Sequence, residues 1–194
     1  MAAVSCFEVW VPFLVLGVIV LLVRGPFRMR AFLVVAGVAI GLNDGVVAKV
    51  LKQVVDRPRP HQSHSNVRMV DLDKAQPRIL ALAKPVKVKN SQSSMEDVEG
   101  RSFPSSHTMN TMAAAITAVA FFGWRASWMF LVPLVVGYSR IYTGSHWPSD
   151  VLTSLFLGAG ITLLLLTFAQ PIWRAVASRF RPSLYQRHPS LFAA

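Results

Sequence analysis

Apolar residues fall in five long stretches of the chain, separated by shorter polar segments and one long one. The apolar stretches cover roughly residues 7–23, 31–51, 104–122, 126–142 and 148–170. A helix needs about 20 mostly apolar residues to cross the hydrocarbon core of a bilayer. The pattern therefore predicts an all-α fold, a polytopic membrane helix bundle of about five transmembrane helices, forming a single domain over residues 1–194.

The first apolar stretch and the region that follows the fifth each support a further prediction. An acidic residue, Glu8, stands at the start of the first stretch and no clear cleavage site follows it, so we expect a retained helix rather than a cleaved signal. Pro171 is expected to end the fifth helix. Residues 172–184 are then expected to lie along the cytoplasmic surface, within a cytoplasmic tail that covers residues 171–194.

The long polar segment, residues 61–101, is predicted to be a loop between the second and third transmembrane helices. Its length exceeds that of a plain connection, which indicates a functional cap or an insert. Residues 79–83 are compatible with one short helical turn, and residues 90–99 are expected to be flexible. His61 and His64 lack a matching cysteine or carboxylate pattern, so solvent-exposed histidines are favoured over metal ligands.

Composition and charge narrow the class of protein. The chain has 194 residues, 53% of them hydrophobic, and a net charge of +11, which does not fit an ordinary soluble domain. Alternating helices place eight arginines, with no Asp or Glu among them, on one face of the membrane. These are Arg24, Arg28, Arg30, Arg125, Arg174, Arg179, Arg181 and Arg187. The positive-inside rule predicts that this face is cytoplasmic and argues against a nucleic-acid partner. The only cysteine, Cys6, excludes an internal disulfide.

The turn over residues 138–150 carries the first candidate chemistry. Pro148 suits the first position of a helix, which places Asp150 in the first turn. From there the carboxylate can reach back toward His146, so the two are predicted to be hydrogen-bond partners. An imidazole held in this way keeps its other nitrogen free as a nucleophile, and Arg140 is a forked donor suited to phosphate. The alternative is that Asp150 only caps the helix and His146 sits in a polar loop.

Two further segments predict anion binding. Lys52 lies on the last turn of the second helix, and Arg59 follows in an extended, proline-rich segment; snorkelling toward lipid phosphates is the alternative. Ser105, Ser106 and His107 occupy the first turn of the third helix, where free backbone N–H groups attract anions; ordinary helix capping is the alternative. Five alternating helices would bring all three segments to the outer edge of the membrane, which favours a joint functional site.

These segments resemble the signature of the type 2 phosphatidic acid phosphatases, the PAP2 superfamily. That signature is Lys-x6-Arg-Pro, then Pro-Ser-x-His, then Ser-Arg-x5-His-x3-Asp. The matching residues here are Lys52, Arg59 and Pro60, then Pro104, Ser105, Ser106 and His107, then Ser139, Arg140, His146 and Asp150. Order and spacing agree over nearly 100 residues. Ser106 replaces the usual glycine, and five predicted spans replace the six of many membrane members.

The resemblance implies a metal-free, two-step phosphotransfer without a cofactor. His146 would attack phosphorus to form a phosphohistidine, with Asp150 orienting it, and His107 would protonate the leaving oxygen and then activate water. The phosphate oxygens would be held by Lys52, Arg59, Ser105 and Arg140, with the backbone N–H groups of Ser106 and His107. Three cations can neutralise charge as a metal ion does elsewhere, and they would oppose the binding of a metal.

The combined prediction is an integral membrane lipid phosphatase of a bacterial inner membrane. Its active site and N-terminus would lie outside and its C-terminus inside. The first choice of substrate is a polyprenyl pyrophosphate such as undecaprenyl pyrophosphate; phosphatidylglycerol phosphate, phosphatidic acid and the phosphates of lipid A are alternatives. A non-catalytic anion-binding or lipid-transporting membrane protein is the alternative from another class. No feature of the sequence indicates an oligomeric state.

Overall fold

The computed structural model describes residues 1–73, 75–91 and 101–192, which form a helical bundle with one small hairpin. The helices are α1 (Ala2–Ser5), α2 (Phe7–Arg24), α3 (Phe27–Leu42), α4 (Lys49–Val55), α5 (Pro60–Ser63), α6 (Ser106–Phe122), α7 (Leu131–Tyr142), α8 (Pro148–Phe180) and α9 (Pro182–Arg187). A π-helical stretch, Asn43–Ala48, joins α3 to α4, and 3-10 helices cover Arg78–Ala83 and Trp124–Phe130. Strands β1 (Arg68–Leu72) and β2 (Val86–Asn90) pair antiparallel, with Val70 opposite Val88.

Helix α6 is the centre of the bundle and packs against α3, α7 and α8. Its buried residues are mostly small or weakly polar: Thr108, Met109, Ala113, Ala115, Ile116, Thr117, Ala118 and Phe121. Small side chains let neighbouring helices approach closely, which is the usual basis of helix packing in membranes. The central position of α6 brings its first turn, which begins at Ser106, to the point where the ends of several other helices meet.

Among the described residues, three helical segments are long and apolar enough to cross a bilayer: Phe7–Arg24, Phe27–Ser63 and Pro148–Phe180. Helices α6 and α7 have 17 and 12 residues, so neither reaches that length as one continuous α-helix. Nearly all apolar side chains of α2 are exposed, as expected for a surface that faces lipid. The predicted class, a polytopic membrane helix bundle, is confirmed, and the count of five spans stays a prediction.

The prediction that Pro171 ends the fifth helix is wrong, because α8 continues through Pro171 to Phe180. A proline removes one backbone hydrogen bond, a loss that helices in membrane proteins tolerate. The chain then folds back on the bundle. The indole nitrogen of Trp173 donates to the carbonyl of His188 at 2.9 Å, and the His188 ring stacks on Phe27 with centroids 4.3 Å apart. The C-terminal segment therefore packs beside the turn between α2 and α3.

The described part of the long polar segment contains regular secondary structure, and its hairpin was not predicted. The short helical turn expected at residues 79–83 is confirmed by the 3-10 helix Arg78–Ala83. Residues 92–100, which include most of the stretch expected to be flexible, lie outside the described residues. We call α1, the hairpin and the 3-10 helix Arg78–Ala83 the outer cap. It shares a buried apolar cluster with the start of α2, formed by Ala2, Val9, Val70, Leu72 and Ala81.

The closest approach of α6 and α8 provides a test of this packing. A Cβ atom added at Gly158 would lie 2.8 Å from the carbonyl oxygen of Met109 and 2.9 Å from its Cα. Because backbone cannot move aside cheaply, Gly158→Ala should lower the free energy of unfolding by about 1–3 kcal/mol. Thermal unfolding of the purified protein in detergent measures the effect.

Gly160→Ala is the matched control, since a Cβ at Gly160 meets no atom within 4 Å. This variant should unfold within a few degrees of the wild type. Equal melting temperatures for the two variants would contradict the close packing of α6 on α8.

Candidate active site

The end of α4 meets the first turn of α6. The Nζ atom of Lys52 donates to Ser106 Oγ at 3.0 Å, so two of the predicted phosphate-binding residues are in direct contact. His107 follows in the same turn, and its ring makes an edge-on contact with Phe7, with centroids 5.9 Å apart. The predicted acid and two predicted phosphate-binding groups therefore lie together at one end of the bundle.

Ser105 stands at the N-cap of α6 and is fully buried. Its backbone N–H donates to Ser154 Oγ at 2.8 Å, and its hydroxyl lies 3.0 Å from Thr108 Oγ1. The side chain makes no capping bond to the backbone, so simple helix capping does not explain it. When Thr108 donates in this pair, Ser105 keeps its own proton for an anion. Phosphate binding by Ser105 stays a prediction.

His146 lies in the turn between α7 and α8, where only 5% of the residue is exposed. Its Nδ1 is 2.6 Å from the carbonyl oxygen of Ser102. A carbonyl can only accept, so Nδ1 carries the proton and Nε2 keeps its lone pair. The structure thus produces the tautomer that a nucleophile at Nε2 requires, with a peptide carbonyl as the fixing group.

The prediction that His146 and Asp150 are direct hydrogen-bond partners is wrong. The fully buried Asp150 carboxylate accepts from Arg57 Nη1 at 2.6 Å, from Ser102 Oγ at 2.5 Å and from the backbone N–H of Trp147 at 3.1 Å. The bond to Trp147 is the helix-capping contact that the sequence alternative proposed. Ser102 hydrogen-bonds to both Asp150 and His146 and so connects the carboxylate to the imidazole.

Arg140 is held by the outer cap. Its Nη1 donates to Ser5 Oγ at 2.6 Å and to the Ser5 carbonyl at 3.1 Å. The Arg140 carbonyl accepts from the backbone N–H groups of Ser145 at 3.1 Å and His146 at 3.3 Å, which closes the turn that carries the imidazole. Arg140 therefore links the N-terminal helix to the turn that carries His146.

Arg59 and Arg140 each bury an Nε atom that has no hydrogen-bond partner among the described residues. Burial, followed by the positive charges of Arg140 and Arg59, lowers the pKa of His146 to about 3. The imidazole therefore lies within the field of both guanidinium groups and is neutral at physiological pH. Buried donors without acceptors, around a neutral imidazole, suit an anion.

Three residues of this arrangement were not predicted: Ser5, Arg57 and Ser102. Arg57 and Ser102 lie near a recognised segment whereas Ser5 does not, and each of the three has its partner more than 40 positions away along the chain. Only the proximity of Arg57 and Ser102 to the matched motifs could have drawn attention to them. Local sequence patterns do not encode such distant contacts.

The predicted absence of a metal ion stays a prediction. In the part of the chain that the structure describes, no three His, Cys, Asp or Glu side chains come together as a metal site would require. Asp150 is occupied by donors from Arg57, Ser102 and Trp147.

Fold and site together define a helical membrane protein whose bundle end holds a buried imidazole among cationic groups. The family model of the PAP2 superfamily matches residues 30–174 of this chain. The chain therefore belongs to the PAP2 superfamily, as the motif resemblance implied.

Individual relatives agree with this membership. The chain is 34% identical over 95 residues to YbjG of Escherichia coli K12, a candidate undecaprenyl-diphosphatase, covering 47% of this chain and 42% of that protein. It is 39% identical over 69 residues to the undecaprenyl-diphosphatase BcrC of Bacillus subtilis strain 168, covering 35% of each. The chain spans less than half the length of the curated relatives it matches.

The fold itself has a solved counterpart. The crystal structure of a transmembrane PAP2 type phosphatidylglycerolphosphate phosphatase from Bacillus subtilis superposes with a TM-score of 0.51 at 21% sequence identity. The alignment covers 93% of this chain and 79% of that one. At this identity the likeness establishes the shared fold.

The lowered pKa of His146 makes stability depend on pH. In the unfolded chain His146 takes up a proton near pH 6.5, whereas in the folded protein it takes up a proton only near pH 3. The contribution of the neutral His146 to the free energy of unfolding is therefore fully present above about pH 6.5 and is lost as the pH falls toward 3. For this single group the loss is about 2 kcal/mol between pH 7 and 5. His146→Gln should consequently show a smaller fall in melting temperature from pH 7 to 5 than the wild type. Parallel falls would contradict a buried neutral imidazole.

Proposed function

We propose that this protein is a lipid phosphate or diphosphate phosphatase that acts through a phosphohistidine at His146. The observation that carries the proposal is the hydrogen bond from His146 Nδ1 to the Ser102 carbonyl, because it leaves the Nε2 lone pair free beside two buried guanidinium groups. A protein that only binds anions needs cations but has no use for an imidazole fixed in the nucleophilic tautomer.

The surrounding cations suit phosphoryl transfer. Within the described part of the chain, Arg59 and Arg140 have Nε donors without a hydrogen-bond partner. Lys52 lies against the first turn of α6, where the first N–H groups of a helix have no intrahelical acceptor. Phosphoryl transfer depends mainly on positioning and on neutralising the charge of the equatorial oxygens. In the proposed role, these three cations hold the phosphate, together with Ser105, Ser106 and the backbone N–H of His107.

The proposed reaction has two steps, the formation of the phosphohistidine and its hydrolysis. In the first, Nε2 of His146 forms a bond to phosphorus and the bond from phosphorus to the leaving oxygen breaks. His107, which is protonated in the complex because the bound phosphate stabilises its imidazolium form, donates a proton to that oxygen. In the second, water attacks phosphorus, His107 takes its proton, and the bond from phosphorus to Nε2 breaks. The products are the dephosphorylated lipid and inorganic phosphate, and the enzyme returns to its starting state. General acid catalysis of this kind contributes about 10²- to 10⁴-fold.

A polyprenyl diphosphate is the proposed substrate. The named undecaprenyl-diphosphatases among the relatives support this choice. The site also lies at the end of a bundle whose helices expose apolar side chains, so a lipid tail can stay in the bilayer while the headgroup enters the site. Phosphatidylglycerol phosphate, phosphatidic acid and phosphorylated lipid A are the alternative substrates, and activity on them measures how selective the protein is for a polyprenyl diphosphate.

The proposed location is a bacterial inner membrane with the active site outside. The C-terminal segment and the turn between α2 and α3 pack together, for example through Phe27 and His188. Both carry arginines without acidic residues, which supports a cytoplasmic position under the positive-inside rule. The N-terminus, which contacts Arg140 through Ser5, belongs to the outer side in this arrangement.

Phosphate release from a panel of lipids tests the activity. Purified protein in detergent with excess EDTA should release phosphate from undecaprenyl pyrophosphate faster than from phosphatidylglycerol phosphate, phosphatidic acid or phosphorylated lipid A. The reason is that fixed cations replace a metal ion in neutralising the phosphoryl group. Strict dependence on added divalent metal would overturn the mechanism, and a different preferred lipid would correct the substrate.

Replacement of the nucleophile separates catalysis from binding. His146→Ala should lower kcat by at least about 10³-fold, because the residues of a covalent mechanism act as a unit. Competitive binding of inorganic phosphate should persist, since Lys52, Arg59 and Arg140 remain. His188→Ala, the same change at the opposite end of the bundle, is the matched control and should keep wild-type turnover. If His146→Ala turned over near the wild-type rate, His146 would not be the nucleophile.

A further inference from the structure

Ser102 makes three short hydrogen bonds to residues in two distant segments of the chain, and no part of it is exposed. Its N–H donates to the Arg57 carbonyl at 2.7 Å, its hydroxyl donates to Asp150 Oδ2 at 2.5 Å, and its carbonyl accepts from His146 Nδ1 at 2.6 Å. We propose that Ser102 is the positioning residue through which Asp150 acts on His146. This inference rests on the proposed function, in which His146 is the nucleophile.

The chemistry of the partners fixes the direction of each bond. A carboxylate that is paired with Arg57 can only accept, so the Ser102 hydroxyl must donate and its rotamer is set. A carbonyl can only accept, so the imidazole must donate from Nδ1. Asp150 thus holds the side chain of Ser102, and the backbone of Ser102 holds the ring of His146.

The anchoring of Asp150 makes it a firm support for this arrangement. Its other oxygen binds Arg57 Nη1 at 2.6 Å, and the Arg57 guanidinium lies over the Trp147 ring, 5.2 Å from its centroid. The Trp147 indole donates in turn to the Pro58 carbonyl at 3.0 Å. The carboxylate is therefore fixed by the extended segment after α4 and by the start of α8, independently of His146.

Ser102 lies close in the chain to the first turn of α6, so its bond to His146 also connects His146 to that helix. Ser102 comes three residues before Ser105, the N-cap of α6, and His107 lies in the first turn of that helix. One serine therefore relates the turn that carries the nucleophile to the helix that carries the proposed acid. When the imidazole becomes positively charged on attack, the Ser102 carbonyl dipole and the Asp150 charge behind it stabilise that charge.

A purely structural role predicts different behaviour. If Ser102 only fills the core, its loss lowers stability but leaves the turnover of the folded enzyme unchanged. If it couples Asp150 to His146, its loss acts on kcat and depends on the presence of the carboxylate. A double-mutant cycle measures that dependence directly.

The experiment compares Ser102→Ala, Asp150→Ala and the double variant with the wild type, using full-length protein that elutes and melts as a folded species. Ser102→Ala keeps the backbone bonds to Arg57 and His146 and removes only the hydroxyl. Its kcat should fall about 10- to 100-fold, the range expected when one buried acceptor loses its donor. KM and the inhibition constant of inorganic phosphate should stay within about threefold, because the cations are unchanged.

Ser149→Ala is the matched control. Ser149 is exposed and its hydroxyl accepts from the same Arg57 Nη1 at 2.9 Å, but its side chain has no hydrogen bond to Asp150 or to His146. Its kcat and KM should equal those of the wild type. In the cycle, the double variant should be no slower than Asp150→Ala alone, since each single change breaks the same link.

The possible outcomes separate this inference from the proposed function. Wild-type kcat in Ser102→Ala, or losses that multiply in the double variant, would overturn the positioning role while leaving the phosphatase activity established. A wild-type protein that releases no phosphate from any lipid of the panel would overturn the proposed function, and the positioning role with it, because there would be no nucleophile to position.

Discussion

The buried carboxylate of Asp150 is the group on which the arrangement of the candidate active site depends. An unpaired charge in such a place is strongly unfavourable, so a fully buried carboxylate has to be surrounded by donors. Those donors come from three separate parts of the chain: Arg57 after α4, Ser102 before α6 and the backbone of Trp147 at the start of α8. Satisfying one anion therefore fixes the relative positions of the segments that carry the active-site groups.

The cations of the site are held in the opposite way. None of Lys52, Arg59 and Arg140 forms an ion pair with an acidic side chain within the described ranges. Arg140 binds the hydroxyl and carbonyl of Ser5, and Lys52 binds the hydroxyl of Ser106, so both are positioned by neutral groups. Their charges repel one another and are offset only in part, at longer range than an ion pair, by Asp44 acting on Lys52 and Asp71 acting on Arg140. An anionic ligand would relieve this repulsion, as the proposed phosphate-binding role of these residues requires.

The outer cap connects this site to the rest of the fold. The apolar cluster of Ala2, Val9, Val70 and Leu72 holds α1 against the hairpin, and Ser5 at the end of α1 then reaches Arg140. A segment that hydropathy treats as a plain loop thus helps to position a proposed phosphate-binding residue. Long connections that carry secondary structure of their own are often functional, and this one fits that pattern.

The sequence by itself determined the helical membrane class, from the length of its apolar stretches, and the family, from the spacing of three motifs around Lys52, His107 and His146. Both rest on local patterns, because each apolar stretch and each motif lies within a short segment of the chain. Tertiary structure alone decided that Asp150 binds Arg57 and Ser102 rather than His146, that Ser5 holds Arg140, and that α8 runs through Pro171. Those contacts join residues tens of positions apart, and which donor reaches a buried carboxylate depends on packing that no local pattern records.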